Sequence, residues 1–193
     1  NACEYSKRQN DHKNKIDYKT REKELEKLVE RIKISAKEKK SPYHCIVPWS
    51  GGKDSSAVAL RLKKDYGLRP LLVTFNPLIP TEVGIHNRNE ILSHGFDNIE
   101  IKTNKNISSK LSLRFFIERG NPKLHWDAGI NASIYRSSIK LQIPFIFYAE
   151  HGESEYGGKI LSEESAKIRN LSEVLENQIG DDPINWIDDL VTE

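Results

Sequence analysis

Two glycines between a short apolar run and a helix-forming stretch hold the residues of this chain best suited to chemistry. The segment reads Cys45-Ile46-Val47-Pro48-Trp49-Ser50-Gly51-Gly52-Lys53-Asp54-Ser55-Ser56. Glycine lets a backbone turn sharply and present its N–H groups to a ligand with no Cβ in the way. A helix starting at Asp54 would aim unpaired N–H groups and the positive end of its dipole into the same space. Ser50, Ser55 and Ser56 add hydroxyl donors, and Lys53 a mobile cation. Strand, tight turn and helix of this composition make a pocket for a polyphosphate. Asp54 repels phosphate unless a cation intervenes, and Mg²⁺ shared between Asp54 and phosphate oxygens would remove the repulsion. Asp is also a good helix N-cap, and the two roles can coexist. Lys53 could neutralise charge developing on a departing pyrophosphate.

A second cluster lies far downstream. Glu150, His151, Glu153 and Glu155 crowd a polar loop that also carries Gly152, Gly157 and Gly158. Like charges brought together in a cleft shift one another's protonation, which suits proton transfer or metal binding. Phe75-Asn76-Pro77 reads as a strand running into a turn. His125-Trp126-Asp127 precedes a helix; there Asp127 serves as cap and Trp126 as packing, or both meet a substrate, and the residues do not choose.

The elements that must position these groups follow from periodicity. Ile16 to Lys40 repeats Tyr18, Leu25, Leu28, Val29 and Ile32 at helical spacing, which gives a charged helix with one narrow apolar stripe. From Tyr43 the pattern alternates strand and helix, the mark of a parallel sheet covered on both faces. Strands are expected at 43–49, 71–75, 99–101 and, most apolar of all, 143–149. Helices are expected at 54–66, 81–94, 107–119 and 126–141, with Gly67 and Gly95 as closing glycines. Pro48 removes a ladder donor and is tolerated where the first strand leaves the sheet. In open parallel sheets ligands bind beyond the carboxyl ends of the strands, near the reversal of strand order. The Ser50 loop, the Phe75-Asn76 end and the Glu150 loop should converge there. Ser162 to Ile179 places Ile168, Leu171, Val174, Leu175 and Ile179 on one helical face. With Gly180 to Trp186 it either packs on its own domain or forms a substrate cap or docking arm.

The expected organisation is an N-terminal segment and charged helix over 1–42, an α/β domain over 43–158 and a helical, acidic extension over 159–193. The chain has 193 residues, no Met and an opening Asn-Ala-Cys, so it reads as a fragment lacking its true start; its end, at Glu193, also lacks a closing signal. A net charge of +2 is too small to argue for nucleic acid or an anionic membrane. Lys and Arg crowd Lys7 to Lys40 while Glu and Asp dominate Glu150 to Glu193; most of these are solvated faces. Cys3 and Cys45 make no disulfide framework. No apolar run approaches the ~20 residues of a membrane span and no signal peptide is evident, which places the protein in the cytoplasm.

The loop is not a Walker A motif, which needs Gly where Val47 stands and Ser or Thr where Asp54 stands. It is not a dinucleotide fingerprint either, because the third glycine is replaced by the Asp54-Ser55 region. Ser50-Gly51-Gly52-Lys53-Asp54-Ser55 resembles the PP-loop of the ATP pyrophosphatases, enzymes that split ATP between its α and β phosphates. Pro70 to Phe75, Ala128-Gly129-Ile130, Glu150 to Gly158 and Gly180 to Trp186 extend the likeness to one family, the N-acetyl sugar amidotransferases of bacterial surface-sugar biosynthesis. These act on lipopolysaccharide O-antigen sugars and on the pseudaminic and legionaminic acids of flagellin. The resemblance implies a doubly wound α/β fold of the adenine-nucleotide α-hydrolase kind. It implies ATP and Mg²⁺ as cofactors, held by Ser50, Gly51, Gly52, Lys53, Asp54, Ser55, Ser56 and Gly152, with adenine at Phe75 and Asn76. Catalysis would fall to Lys53, Asp54, Glu150, His151, Glu153 and Glu155.

The implied reaction turns an acetamido group into an acetamidino group through an adenylated intermediate. Its ammonia would come from a glutaminase and a barrel-like partner similar to the histidine-pathway pair. The chain supplies no glutaminase nucleophile of its own, since Cys45 sits in a strand and Cys3 near the start. The family's Cys-x-x-Cys pairs are missing, and a lone Cys3 is not a zinc site, so a structural zinc is not expected in this fragment. Two other functions fit the loop: a PP-loop tRNA-modifying ligase or thiolase, and a nucleotide-binding module without chemistry. The first calls for a basic RNA surface or catalytic cysteines. The second has no use for Asp54 or the Glu150 cluster.

Overall fold

The computed structural model describes residues 17–150, 179–180 and 182–186. Helix α1, Tyr18–Glu38, opens on Asp17, whose carboxylate accepts the N–H groups of Lys19 and Thr20 at 3.1 and 3.2 Å. Val29, Ile32 and Ala36 form its buried stripe, with Leu25 and Leu28 packed alongside. Tyr18 does not join them; it stands 66% exposed, about two turns before the stripe meets the domain at Leu25.

Three strands follow, β1 (Cys45–Pro48), β2 (Pro70–Phe75) and β3 (Asp97–Ile101), joined by α2 (Lys53–Lys64) and α3 (Glu82–Ser93). They form a parallel sheet in the order β1-β2-β3, with Ile46 opposite Leu71 and Val73 opposite Ile99. Then come α4 (Lys105–Arg119), α5 (Leu124–Leu141) and a short 3-10 turn, η1 (Pro183–Trp186).

Successive strand residues point to opposite faces, and here both faces are buried. Cys45, Val47 and Leu72 pack with Val29 and Ile32 of α1, Ala59 and Leu62 of α2, and Ile91 and Leu92 of α3. Ile46, Leu71 and Val73 pack with Ile130 and Ile134 of α5. The sheet is therefore doubly wound, as the alternating pattern predicts.

The fourth strand expected over 143–149 is reduced to one parallel bridge, Ile46 to Ile146. Ile46 donates to the Phe145 carbonyl at 2.8 Å and accepts from Phe147 N–H at 2.9 Å. A parallel ladder would next need N–H donors from residues 44 and 48. The His44 N–H is taken by the Arg69 carbonyl, and Pro48 has none. Pro48, placed at the strand exit by sequence, thus also limits pairing on the opposite side.

Near the other end of the chain, Ile179 and Trp186 pack against Phe115 of α4 and Leu124 and Ala128 of α5. The rings of Phe115 and Trp186 meet edge-on, with centroids 4.6 Å apart. At Trp186 the Gly180 to Trp186 stretch lies on the domain. The helix expected over 162–179 lies outside the described residues except at Ile179. No helix among the described residues is long and apolar enough to cross a membrane.

Candidate functional site

The chain leaves β1 at Trp49, whose N–H still bonds the Val73 carbonyl at 2.9 Å. Gly51 then adopts φ +90°, a conformation that costs an L side chain about 1–2 kcal/mol. Gly52, not Asp54, is the N-cap of α2, and no side chain caps this helix start. Asp54 is therefore not the cap expected of it; it lies exposed in the first turn, one residue beyond Lys53, which is also exposed. An uncapped helix start with Ser50, Gly52, Lys53 and Asp54 at the surface fits a polyanion. Any divalent cation here would have to be shared between Asp54 and the polyanion itself, because no group of three or more His, Cys, Asp or Glu among the described residues could hold a metal ion.

The three serines divide. Ser50 is exposed and its Oγ accepts the Gly52 N–H at 3.2 Å, which tightens the bend. Ser55 is buried, with its hydroxyl 3.4 Å from the Gly52 carbonyl. Ser56 is buried and its Oγ accepts the Trp49 indole N–H at 2.9 Å. Its hydroxyl oxygen serves the core where the sequence placed it on phosphate. Ser56→Ala should strand that indole donor and cost about 1–3 kcal/mol of stability. Nucleotide affinity should stay as in the parent. Denaturant unfolding beside a binding titration checks both; a selective loss of affinity would put Ser56 back among the ligands.

Phe75 and Asn76 close β2 on the same edge of the sheet. The Asn76 N–H bonds the Ile101 carbonyl at 2.9 Å, and its side-chain amide spans Arg88 and Glu100 at 2.7 and 3.0 Å. Asn76 is thus turned to its neighbours more than to a ligand. The Phe75 ring lies against Gly129 of α5, so close that a Cβ there would sit 2.2 Å from its Cζ. This explains a glycine inside a helix, where alanine is better by about 1 kcal/mol. Gly129→Ala sets that gain against overpacking of about 1–3 kcal/mol, so the variant should be less stable and its Phe75 ring displaced. A denaturant midpoint raised above the parent's would show that the ring moves aside freely.

The Phe75 contact also puts the start of α5 at the carboxyl edge of the sheet. That helix begins at Leu124 with Lys123 as N-cap, so Asp127 is not the cap that one reading made of it. Asp127 is half-buried, and desolvation raises its carboxyl, against Lys123, which lowers it. Desolvation lowers His125. His125 Nδ1 and Trp126 Nε1 are buried atoms without a hydrogen-bond partner. Glu150 is exposed four residues beyond Ile146. His151, Gly152, Glu153 and Glu155 lie outside the described residues. Cys45 is fully buried and its thiol is pushed up to about 12 by desolvation, which makes it inert as a nucleophile.

Strand order decides where these groups meet. From β1 the chain moves outward through β2 to β3, then returns to the far side of β1 at Ile146. The reversal falls at β1, and the Ser50 bend grows from its carboxyl end. This is the crevice position of open α/β sheets.

Sequence reasoning missed Arg88. It reaches from α3 to the bend, lies buried, donates to Asn76 and Glu100, and sits 5.8 Å over the Trp49 ring. No periodicity marks it, since α3 is weakly amphipathic and Arg88 is its only buried residue.

No family model matches the chain. An uncharacterized protein of Methanocaldococcus jannaschii is 34% identical over 70 residues, covering 36% of this chain and 25% of that protein. The chain thus spans about a quarter of the curated relative it matches. A solved structure, described as a predicted subunit of tRNA methyltransferase from the same archaeon, aligns at TM-score 0.37 and 22% identity. That alignment covers 68% of this chain and 60% of the other. Neither match is described as a sugar amidotransferase.

Proposed function

We propose that this chain binds MgATP at the Ser50–Ser55 bend and splits it between the α and β phosphates to adenylate an amide-like oxygen. The observation that carries the reading is the place of the bend: an uncapped helix start preceded by two glycines, at the carboxyl end of the strand where sheet order reverses. In that crevice the bend's N–H groups meet the β and γ phosphates, leaving the α phosphorus open to attack. Lys53 stands beside the departing pyrophosphate and offsets its charge. Asp54 would hold Mg²⁺ together with phosphate oxygens, and the ion would supply charge neutralisation there.

The substrate we favour is the acetamido group of a bacterial surface sugar, on the resemblance of several stretches to the sugar amidotransferases. Its carbonyl oxygen bonds to the α phosphorus as pyrophosphate leaves. Ammonia then adds to the imidate carbon, AMP departs with the former amide oxygen, and an acetamidino group remains. An amide oxygen is a poor leaving group until it is adenylated, which is why ATP is consumed. Ammonia would be delivered by a partner glutaminase, consistent with the buried, protonated Cys45.

A tRNA-modifying ligase is the second reading. The archaeal structure is described as a predicted subunit of a tRNA enzyme, although at TM-score 0.37 that likeness carries no weight on substrate. Both readings predict AMP and pyrophosphate; they differ in what is adenylated. Incubation with ATP, Mg²⁺, ammonium and N-acetyl sugars, free and nucleotide-linked, should exchange one oxygen for NH by mass spectrometry. AMP formation dependent on tRNA and indifferent to every sugar would replace the first reading with the second.

A further inference from the structure

We infer that Arg88 is a positioning residue that ties the phosphate bend to the tips of β2 and β3, an inference that rests on the nucleotide site proposed above. Arg88 occupies the place a side chain of residue 51 would take: a Cβ on Gly51 would lie 2.4 Å from its Cγ and 3.1 Å from its Cδ. The stem cannot swing away, because the guanidinium is anchored beyond it. Nη2 donates to Asn76 Oδ1 at 2.7 Å and to Glu100 Oε1 at 2.9 Å. Glu100 Oε2 in turn accepts from Asn76 Nδ2 at 3.0 Å, which closes a triangle of three side chains. Both bonds leave the one nitrogen Nη2, and Arg88 Nε is buried without a hydrogen-bond partner.

Four segments meet on this one side chain: the bend after β1, the end of β2, β3 and α3. The Trp49 ring centroid lies 5.8 Å from its guanidinium carbon. The side chain is only 11% exposed while that of Glu100 is 37% exposed. Arg88 is thus the inner member of the pair and Glu100 the outer. An interior cation tied to one half-exposed carboxylate is a poor choice for stability alone, since the desolvation penalty offsets much of the attraction. Its position explains it better. The guanidinium fixes the stem, the stem fixes Gly51, and Gly51 sets the direction in which the helix N–H groups face a phosphate.

Affinity for the non-cleavable α,β-methylene-ATP with Mg²⁺, measured by calorimetry on the full chain well below its melting temperature, tests this. Arg88→Met keeps the stem but loses the guanidinium, and should weaken binding about tenfold, with Arg88→Lys, whose ammonium also carries several donors on one nitrogen, recovering part of it. Gly51→Ala should cost less affinity in an Arg88→Ala background than in the parent, because the stem its methyl group meets is gone. Should Arg88→Met fail to fold, Glu100→Gln carries the test, with weakening of about twofold or more expected. Parent-like affinity in Arg88→Met, or in Glu100→Gln where the former does not fold, would overturn the inference. So would Gly51→Ala costs that are equal in both backgrounds. A parent chain that does not bind the nucleotide would instead overturn the site itself.

Discussion

Asp54→Asn should slow AMP formation by about 10²–10³-fold and leave the fold as it is. Asp54 is exposed in the first turn of α2 and caps nothing, so its carboxylate contributes to folding only through the helix dipole, about 0.3–1 kcal/mol. Asparagine keeps the shape and loses the charge. Without that charge the site cannot share a divalent cation with the phosphates, and the negative charge building up during pyrophosphate departure goes uncompensated. Losing one such electrostatic contribution in an active site slows turnover by about 10²–10³-fold. Thermal melting beside an assay for released pyrophosphate separates the two effects. A variant that melts like the parent and turns over like it would remove Asp54 from the chemistry.

The second large effect belongs to Gly51→Ala. Alanine at φ +90° is strained by about 1–2 kcal/mol. Its methyl group also enters the space of the Arg88 stem, an overlap worth about 1–3 kcal/mol if the surroundings yield only partly. The chain has an easy way out, which is to move the bend, and that is the damaging one for function. A reacting group misplaced by about 1 Å can cost about a hundredfold in rate. We expect a modest loss of stability and a loss of turnover of that order. Gly52→Ala offers a control, because a Cβ there meets only the Ser50 hydroxyl at 3.2 Å. Equal losses at both glycines would mean that the Arg88 contact and the left-handed backbone are not what makes residue 51 special.

Much of this architecture is legible in the residues alone. The alternation of apolar runs with helical stripes points to the parallel sheet, and Cys45 and Val47 against Ile46 to its two covered faces. The glycine pair between strand and helix marks the bend and its place at a strand's carboxyl end. Hydrophobic periodicity reports burial against one face, so it works wherever burial is the cause. It fails where polar contacts at long sequence range decide. Arg88 looks like any surface arginine until Asn76 and Glu100 are brought beside it. Gly129 reads as a helix flaw until the Phe75 ring is seen on it. The apolar Ile143 to Ala149 run promises a full strand, but pairing also depends on the donors of its neighbour, and Pro48 withholds one. Helix starts slip by one or two residues at α2 and α5, enough to take the capping role from both Asp54 and Asp127.

The Ser56 hydroxyl shows the same limit on a smaller scale. It lies one residue past the Ser50–Ser55 motif and about one helical turn inside α2, where it meets the Trp49 indole. Nearness to the motif does not say which way it points.

The proposed function puts a nucleotide's phosphates in the bend at the carboxyl end of β1. Backbone amide spectra of the chain, titrated with Mg²⁺ and α,β-methylene-ATP, test it most directly. The largest shifts are expected at Gly51, Gly52, Lys53, Asp54 and Ser55, with smaller ones at Phe75 and Asn76. Shifts confined to the opposite edge of the sheet, around His44 and Gln142, or no shifts at saturating nucleotide, would contradict it.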